Sequence, residues 1–528
     1  MALGVAAAAI TAIVSTYRVF NNMYDEPATL AAGMEWLSKG TYTYEPQHPP
    51  LARIAGALGP YLVGERGTGN SHMYEEGRQI LGQGAHYARI LTLARIGELP
   101  FFAVALWVVW AWVRRLTDER GAALAVFLTA ANPNLLAHAG VAGIDMAVGA
   151  MMPAALYAFV HWLERPNVRR GAIFGALFAL CGLTKFSGIA YLIPSMLITV
   201  LFARAETSAL RSRSAARSVA VALVIAAAIT WAMYRFSFSR VPAPEFWAGL
   251  AAFLRHGTSG HPAYLFGQVR TGGWWYYDLV VFLVKTPIPL MIFGAIGAWV
   301  AFRQLRNRRA VPAENETAAA SSVAAAAEYG KAAEYGQAAE YIAPLMGVLS
   351  VLLIACLTPV DLGVRLILPL YPLLAILAAL GALHVWQRLR QSSTRFLVAA
   401  LLAWAALDPA VTHPDYIAYF NIFAGPEPER VLVDSNLDWG QDLYRLRDAV
   451  KDLHMDSLRV HYFGTAAFWA VGLDRTRRLR PFERATGWVA ASETFYAGVW
   501  ADSALAWLHA YQPVARVGRS IRLYYIKP

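Results

Sequence analysis

The chain contains more apolar segments of membrane-crossing length than any soluble fold could bury. Such segments, able to cross ~30 Å of hydrocarbon, fall near 2–20, 97–113, 121–138, 143–163, 171–184, 187–203, 218–234, 278–301, 343–358, 364–386 and 396–412. That predicts about eleven transmembrane helices. The composition agrees: 57% of residues are hydrophobic and only 15% are charged, against roughly 25% charged in a soluble protein. The sequence therefore predicts a mainly α, polytopic membrane protein. The run Ala2–Phe20 has no charge before Arg18 and no small-residue cleavage site after it, so it reads as a retained span. Cys181 and Cys356 both lie in apolar runs and suggest neither a metal site nor a disulfide.

Orientation follows from the short loops. Arg114, Arg115 and Arg120 occupy one loop, and Arg165, Arg169 and Arg170 the next but one. Arg204 to Arg217, Arg303 to Arg309 and Arg388 to Arg395 mark three more. With eleven spans all five clusters fall on one side, which the positive-inside rule makes cytoplasmic. The net charge of +11 thus reports cytoplasmic loops, and nucleic acid is not an expected partner. The expected location is the inner (cytoplasmic) membrane, with loop 21–95, loop 235–277 and the tail from 413 outside.

Within loop 21–95, Pro27–Leu37 and Tyr74–Leu93 read as short amphipathic helices lying at the interface. Trp274-Trp275-Tyr276-Tyr277 reads as an interfacial aromatic belt, with a sugar or lipid site as the alternative. The Ala-rich stretch 311–341, with its repeated Glu-Tyr-Gly, reads as a cytoplasmic low-complexity linker. The division is thus 1–412 membrane domain and 413–528 a small extracytoplasmic α/β domain. In the latter, Arg430–Asp434, Leu458–Phe463, Trp488–Ala491 and a pair around 514–526 read as strands. Asp438–Leu453 and a segment near 494–510 read as helices.

Ionisable residues at span ends are the candidates for chemistry, because burying charge in a membrane is costly. Asp25-Glu26 follows the first span, and a carboxylate there could take a proton from an acceptor whose reaction partner is a lipid. The plain alternative is a solvated acidic pair. Asp145 opens the fourth span as either a helix cap or a site residue. Lys185 sits between two spans, where snorkelling is the alternative. Lys285 lies deep for snorkelling, and Arg365 follows Asp361, its obvious partner in an ion pair. A base and several cations on one face suit transfer from a phosphate leaving group. No phosphate-binding Gly-rich loop or dinucleotide fingerprint is present.

Several stretches carry a family resemblance in order along the chain. They are Asp25-Glu26-Pro27, Gln47-His48-Pro49-Pro50-Leu51-Ala52, Asn132-Pro133-Asn134-Leu135-Leu136-Ala137-His138, Leu183-Thr184-Lys185-Phe186-Ser187 and Gly273-Trp274-Trp275-Tyr276-Tyr277. Lys285-Thr286-Pro287, Arg365 to Pro372, His413-Pro414-Asp415-Tyr416 and Asp434-Ser435-Asn436-Leu437-Asp438-Trp439-Gly440-Gln441-Asp442 complete the set. The chain resembles the GT-C superfamily of lipid-carrier-dependent glycosyltransferases, close to the protein O-mannosyltransferase and aminoarabinose transferase group, glycosyltransferase family 39. It departs from the eukaryotic members in its short outer domain.

The resemblance implies a glycosyltransferase moving a hexosyl or pentosyl group, with inversion, from a polyprenyl-phosphate-linked sugar donor to a lipid, glycan or protein acceptor. It implies Asp25 as general base, Glu26 assisting or holding the first outer loop, and His48 shaping that loop. Lys185, Lys285 and Arg365 are the candidates for the donor phosphate, with Asp145 also at the substrate. No nucleotide cofactor is implied. A divalent metal stays open, with Asp25 and Asp145 the ligands on offer. Two other classes compete. A transporter or flippase of lipid-linked sugars would show an internal repeat, which the sequence lacks. A scaffolding membrane protein would not need the span-end cations.

Overall fold

The computed structural model describes residues 1–203, 212–309, 322–388, 392–500 and 503–527. Every apolar segment singled out above is helical. Helix α1 spans Ala2–Thr16, α2 Glu26–Lys39, α3 Leu51–Leu62, α4 Met73–Leu81, α5 Gly84–Ile96 and α6 Leu99–Leu116. Next come α7 Glu119–Ala130, α8 Pro133–Ala139, α9 Asp145–Glu164, α10 Val168–Thr184, α11 Phe186–Ala203, α12 Arg213–Met233 and α13 Pro244–Ser259. The bundle closes with α14 Tyr277–Lys285, α15 Ile288–Arg309, α16 Ser322–Leu357, α17 Val364–Ile367, α18 Leu370–Arg388 and α19 Ser392–Thr412.

Seven helical stretches among the described residues are long and apolar enough to cross a membrane, and α7 with α8 forms an eighth bent by 68°. The bend falls where Asn132 caps α8 and Pro133 cannot continue α7. The other three expected segments are the shorter helices α1, α10 and α11. The protein is a multi-pass membrane protein.

At one end of the bundle the basic loops meet. Arg115 pairs with both Glu164 and Glu340, and Arg170 pairs with Glu164. Asp145 and Glu164 terminate the same helix, α9, so the end carrying Asp145 lies about 30 Å away.

The stretch expected as a linker differs at its C-terminal side. Residues 310–321 lie outside the described residues, but from Ser322 the chain runs as α16. Ala338, Ala339 and Glu340 are buried, and the Glu340 carbonyl accepts from Trp112 Nε1 at 3.0 Å. Alanine is small enough for that face to pack closely against its neighbours. Helix α2 is also not a surface helix: residues 26–35 are all buried, packed on α3 and α4. Of the four aromatics expected at the interface, Trp274 and Tyr277 are buried and stacked, while Trp275 is 72% exposed.

Beyond α19 the chain forms a smaller α/β region. After the hairpin β1 (Pro262–Leu265) and β2 (Gln268–Thr271) within the bundle sequence, the strands are β3 (Leu458–His461), β4 (Thr476–Arg478), β5 (Gly487–Ser492), β6 (Ala515–Val517) and β7 (Ile521–Ile526). Their order is β4-β3-β5-β7-β6, parallel across β4-β3-β5 and antiparallel from β5 to β6. Helix α20 (Leu443–Asp452) is shorter than expected, and the segment near 494–510 forms only α21 (Glu493–Tyr496) and a single-turn helix at Ala506–Ala510. Arg430–Asp434 is not a strand. Val431 and Leu432 press into the helical core, so burial against the bundle replaces the sheet.

Glycine sets the tightest helix crossing. A Cβ at Gly297 on α15 would overlap the Leu377 carbonyl, and one at Gly381 on α18 would overlap the Phe293 carbonyl. The backbones of α15 and α18 therefore touch, as small residues permit in membranes. Gly297→Val should lower the stability of purified protein by roughly 1–3 kcal/mol or more, the usual cost of overpacking. Thermal unfolding in detergent measures it; an unchanged midpoint would show that the crossing can open.

Candidate active site

The site is built where four parts of the chain meet: the turn before α2, the first residues of α9, the first residues of α17, and the motif 434–442. Asp25 is the N-cap residue of α2, but its side chain makes no capping bond. Its carboxylate instead meets Arg365 Nη2 at 2.9 Å. Arg365 Nε reaches Asp145 Oδ2 at 3.0 Å, and Lys185 Nζ reaches Asp145 Oδ1 at 2.7 Å. His138 Nδ1 stands 3.9 Å from the same Asp145 carboxylate. Asp145 is not an N-cap; Ile144 holds that position, and the carboxylate serves two cations. Lys185 does not snorkel, and Asp361 turns from Arg365 to accept the Trp274 N–H at 2.8 Å.

The result is a chain of alternating charge, Asp25–Arg365–Asp145–Lys185. Side-chain exposure falls from 32% at Asp25 to 12%, 2% and 7% along it. Asp25 is thus the end open to a ligand, while the buried members compensate one another, as charges removed from water must. The Arg365 guanidinium lies over the Trp439 ring at 4.5 Å, and the His138 ring packs on the same indole at 5.8 Å.

Glu26, expected beside Asp25, points the opposite way. Its two carboxylate oxygens accept from Arg95 Nε and Nη2 (2.9 and 2.8 Å), Met23 N (2.7 Å) and Ala142 N (2.8 Å). Arg95 also donates to the Phe20 and Asn21 carbonyls. With both partners buried, Glu26 holds the turn that presents Asp25 and does not face the open end.

His48 stands in a loop where Tyr42 Oη donates to its carbonyl at 2.7 Å and Glu45 pairs with Arg53. Burial, followed by the charge of Arg53, pushes its imidazole well below the ordinary histidine range, so it is neutral. Lys285 is not brought to the Asp25 network. Its ammonium donates to the carbonyls of Ile417 and Asn436 at 2.8 and 2.7 Å and stands 4.3 Å over the Phe420 ring. It ties the chain after α19 to α14.

Three residues carry roles that the sequence reading did not assign. Asn436 Oδ1 accepts the Val364 N–H at 3.0 Å, and Ser435 Oγ donates to the Leu362 carbonyl at 2.8 Å, fixing the turn that aims Arg365. Asp434 sits at φ 57°, with its carboxylate accepting the Ser435 N–H. Burial pushes its carboxyl up to about 6; Ser435 and Arg365 oppose this, and Asp25 adds to it. All three lie in the motif quoted above, yet nothing local shows that Ser435 and Asn436 reach back to the start of α17. As for metal, Arg365 bridges Asp25 and Asp145, and among the described residues no three His, Cys, Asp or Glu side chains converge. The residues present do not fit a metal centre.

The chain shares its fold with two solved enzymes, and at their low identity the likeness is one of fold. ArnT from Cupriavidus metallidurans in the apo state is similar at 13% identity, covering 99% of this chain and 97% of that one, with a TM-score of 0.50. The Archaeoglobus fulgidus oligosaccharyltransferase, solved tethered with an acceptor peptide, is similar at 14% identity over 97% of this chain and 72% of that one, with a TM-score of 0.51. Residues 91–233 match the family model described as dolichyl-phosphate-mannose-protein mannosyltransferase. No curated protein matches by sequence.

Two outcomes follow from this geometry. Glu26→Ala leaves Arg95 buried and unpaired and should destabilise the protein by about 3–5 kcal/mol, whereas Glu26→Leu with Arg95→Leu should recover the part due to the unpaired guanidinium, the Met23 and Ala142 N–H groups still lacking their acceptor. Thermal unfolding of the single and double variants distinguishes them, and equal losses would refute the pairing.

The second concerns Asp434. Its folded pKa lies above the unfolded value of about 3.9, so its contribution to stability is complete below that value. It is lost as pH rises through about 6. Asparagine tolerates the left-handed backbone and stays neutral. Asp434→Asn should therefore gain stability relative to wild type between about pH 4 and pH 7. Melting curves across that range that stay parallel would remove Asp434 as a buried ionising group.

Proposed function

We propose that the protein is a glycosyltransferase that moves a sugar from a polyprenyl-phosphate carrier to an acceptor, with inversion and with Asp25 as the general base. The observation that carries this is the alternating chain with one open end: a carboxylate accessible to an acceptor, paired with the Arg365 guanidinium. The matched family's description names a dolichyl-phosphate sugar, which supports this donor class. The acceptor peptide in the Archaeoglobus fulgidus enzyme is consistent with a protein acceptor, and lipid or glycan acceptors fit the same chemistry.

In the reaction the acceptor oxygen attacks the anomeric carbon and the bond from that carbon to the phosphate oxygen breaks. The electron pair stays on the phosphate, and the acceptor proton passes to Asp25. Arg365 stabilises the charge that develops on the phosphate. Asp145 and Lys185 hold Arg365 in place. The Lys and Arg clusters support a cytoplasmic position for the opposite end of the bundle, so the site and the α/β region would face outside the inner membrane.

Asp25→Asn should fold, retain its melting temperature and lose about 10²–10⁴ in rate, the usual cost of removing a general base. Arg365→Ala should also lower transfer. The assay is product formation by detergent-purified protein from a polyprenyl-phosphate sugar. Without a membrane to cross, it separates transfer from translocation. Wild-type turnover in a well-folded Asp25→Asn protein sinks the base, and no turnover by active-state wild type across donor sugars favours a flippase.

A further inference from the structure

A second charged cavity lies on the far face of α5 from the Asp25 turn. On one face of this helix, Tyr87 Oη donates to Asn22 Oδ1 at 2.6 Å and Arg95 holds Glu26. The opposite face, with Ala88, Arg89 and Thr92, lines a cavity of about 1050 Å³ whose other walls are Tyr17 and Arg18, α20 and the turn at Trp469–Gly472. Four cations line it: Arg18, Arg89, Arg447 and Lys451. Arg447 pairs with Asp448 and packs on the Tyr444 ring. Arg18, Arg89 and Lys451 have no ion-pair partner among the described residues, and Asp474 is the single carboxylate in the walls. Unpaired cations gathered in one concavity focus a positive potential on it.

Its position relative to the membrane narrows the ligand. Arg18 comes two residues after the end of the apolar helix α1. Helices α5 and α6 together form a stretch of 33 residues, Gly84–Leu116. That is about 50 Å of helix against ~30 Å of hydrocarbon, so α5 projects past the apolar layer. Val14 and Ile96 are exposed and stand four residues along the chain from the cavity residues Arg18 and Thr92, and Trp469, 49% exposed, lines it. A basic cavity with an exposed aromatic in its wall where α5 leaves the apolar layer, and exposed apolar side chains about one helical turn along the chain, suits a charged headgroup above acyl chains.

We propose that this cavity binds the phosphate headgroup of an anionic membrane lipid, at a site separate from the Asp25 network. The proposal does not depend on the role of Asp25. Native mass spectrometry of the detergent-purified full chain tests it, with phosphatidylglycerol, phosphatidylcholine and inorganic phosphate as probes. Wild type should retain phosphatidylglycerol in preference to phosphatidylcholine. Arg89→Gln with Lys451→Gln should weaken that retention about tenfold or more, and Arg89→Lys with Lys451→Arg should keep it. If the neutral pair fails to fold, the single change Lys451→Gln carries the same comparison. Equal retention of the two lipids, or unchanged retention in the neutral variant, overturns the site. Inorganic phosphate binding as tightly as phosphatidylglycerol overturns the lipid as its ligand.

Discussion

Asp145 is a carboxylate buried at the start of a membrane helix, and its compensation organises the site. A lone ion there would carry a desolvation cost of several kcal/mol, so two cations, Lys185 and Arg365, must reach it from helices α10 and α17. Arg365 has a second edge of its guanidinium free, and Asp25 takes it. The exposed carboxylate is therefore oriented by a buried one that it never touches. The planar fork of arginine makes this relay workable, because one cation can serve two acceptors in fixed directions. Trp439 closes the remaining face and keeps the guanidinium in plane.

The α/β region is part of this arrangement through its first residues. Asn436 and Ser435 hold the turn before Arg365, while the Trp439 carbonyl accepts the Tyr24 N–H at 3.0 Å and Asn21 bonds to the backbone at Gly440 and Leu443. One short motif thus positions both the base candidate and the cation beside it. Lys285 adds a third tie by donating to the Asn436 carbonyl. The fold brings these groups together from parts of the sequence hundreds of residues apart.

How much of this was legible follows from the range of each signal. The apolar helices of the bundle were legible because each carries its own apolar run, whereas the break between α7 and α8 was missed because the run 121–138 reads as one span. Strands β3, β5 and β7 were legible from their β-branched and aromatic residues. Arg430–Asp434 misled because a short apolar run looks the same whether a sheet or a helix bundle covers it. Lys185 and Lys285 have similar local settings, and only their distant neighbours separate them: a carboxylate for one, two carbonyls for the other. Asp25 and Glu26 were read as a pair because they adjoin in sequence. Nothing in the sequence shows that Arg95 and Ala142 claim the second of them.

That opposition has an evolutionary corollary. Asp25 and Glu26 occupy consecutive positions at a helix start, and their side chains diverge because each is gripped by a different partner. Inserting a single residue between Asn21 and Pro27 would rotate the start of α2 by about 100° and place Asp25 where Glu26 now meets Arg95, and deleting one would place Glu26 where Asp25 now meets Arg365. Length here is as constrained as residue identity. Chains of this fold that use the same pair should therefore keep a fixed residue count from the end of α1 to the start of α2.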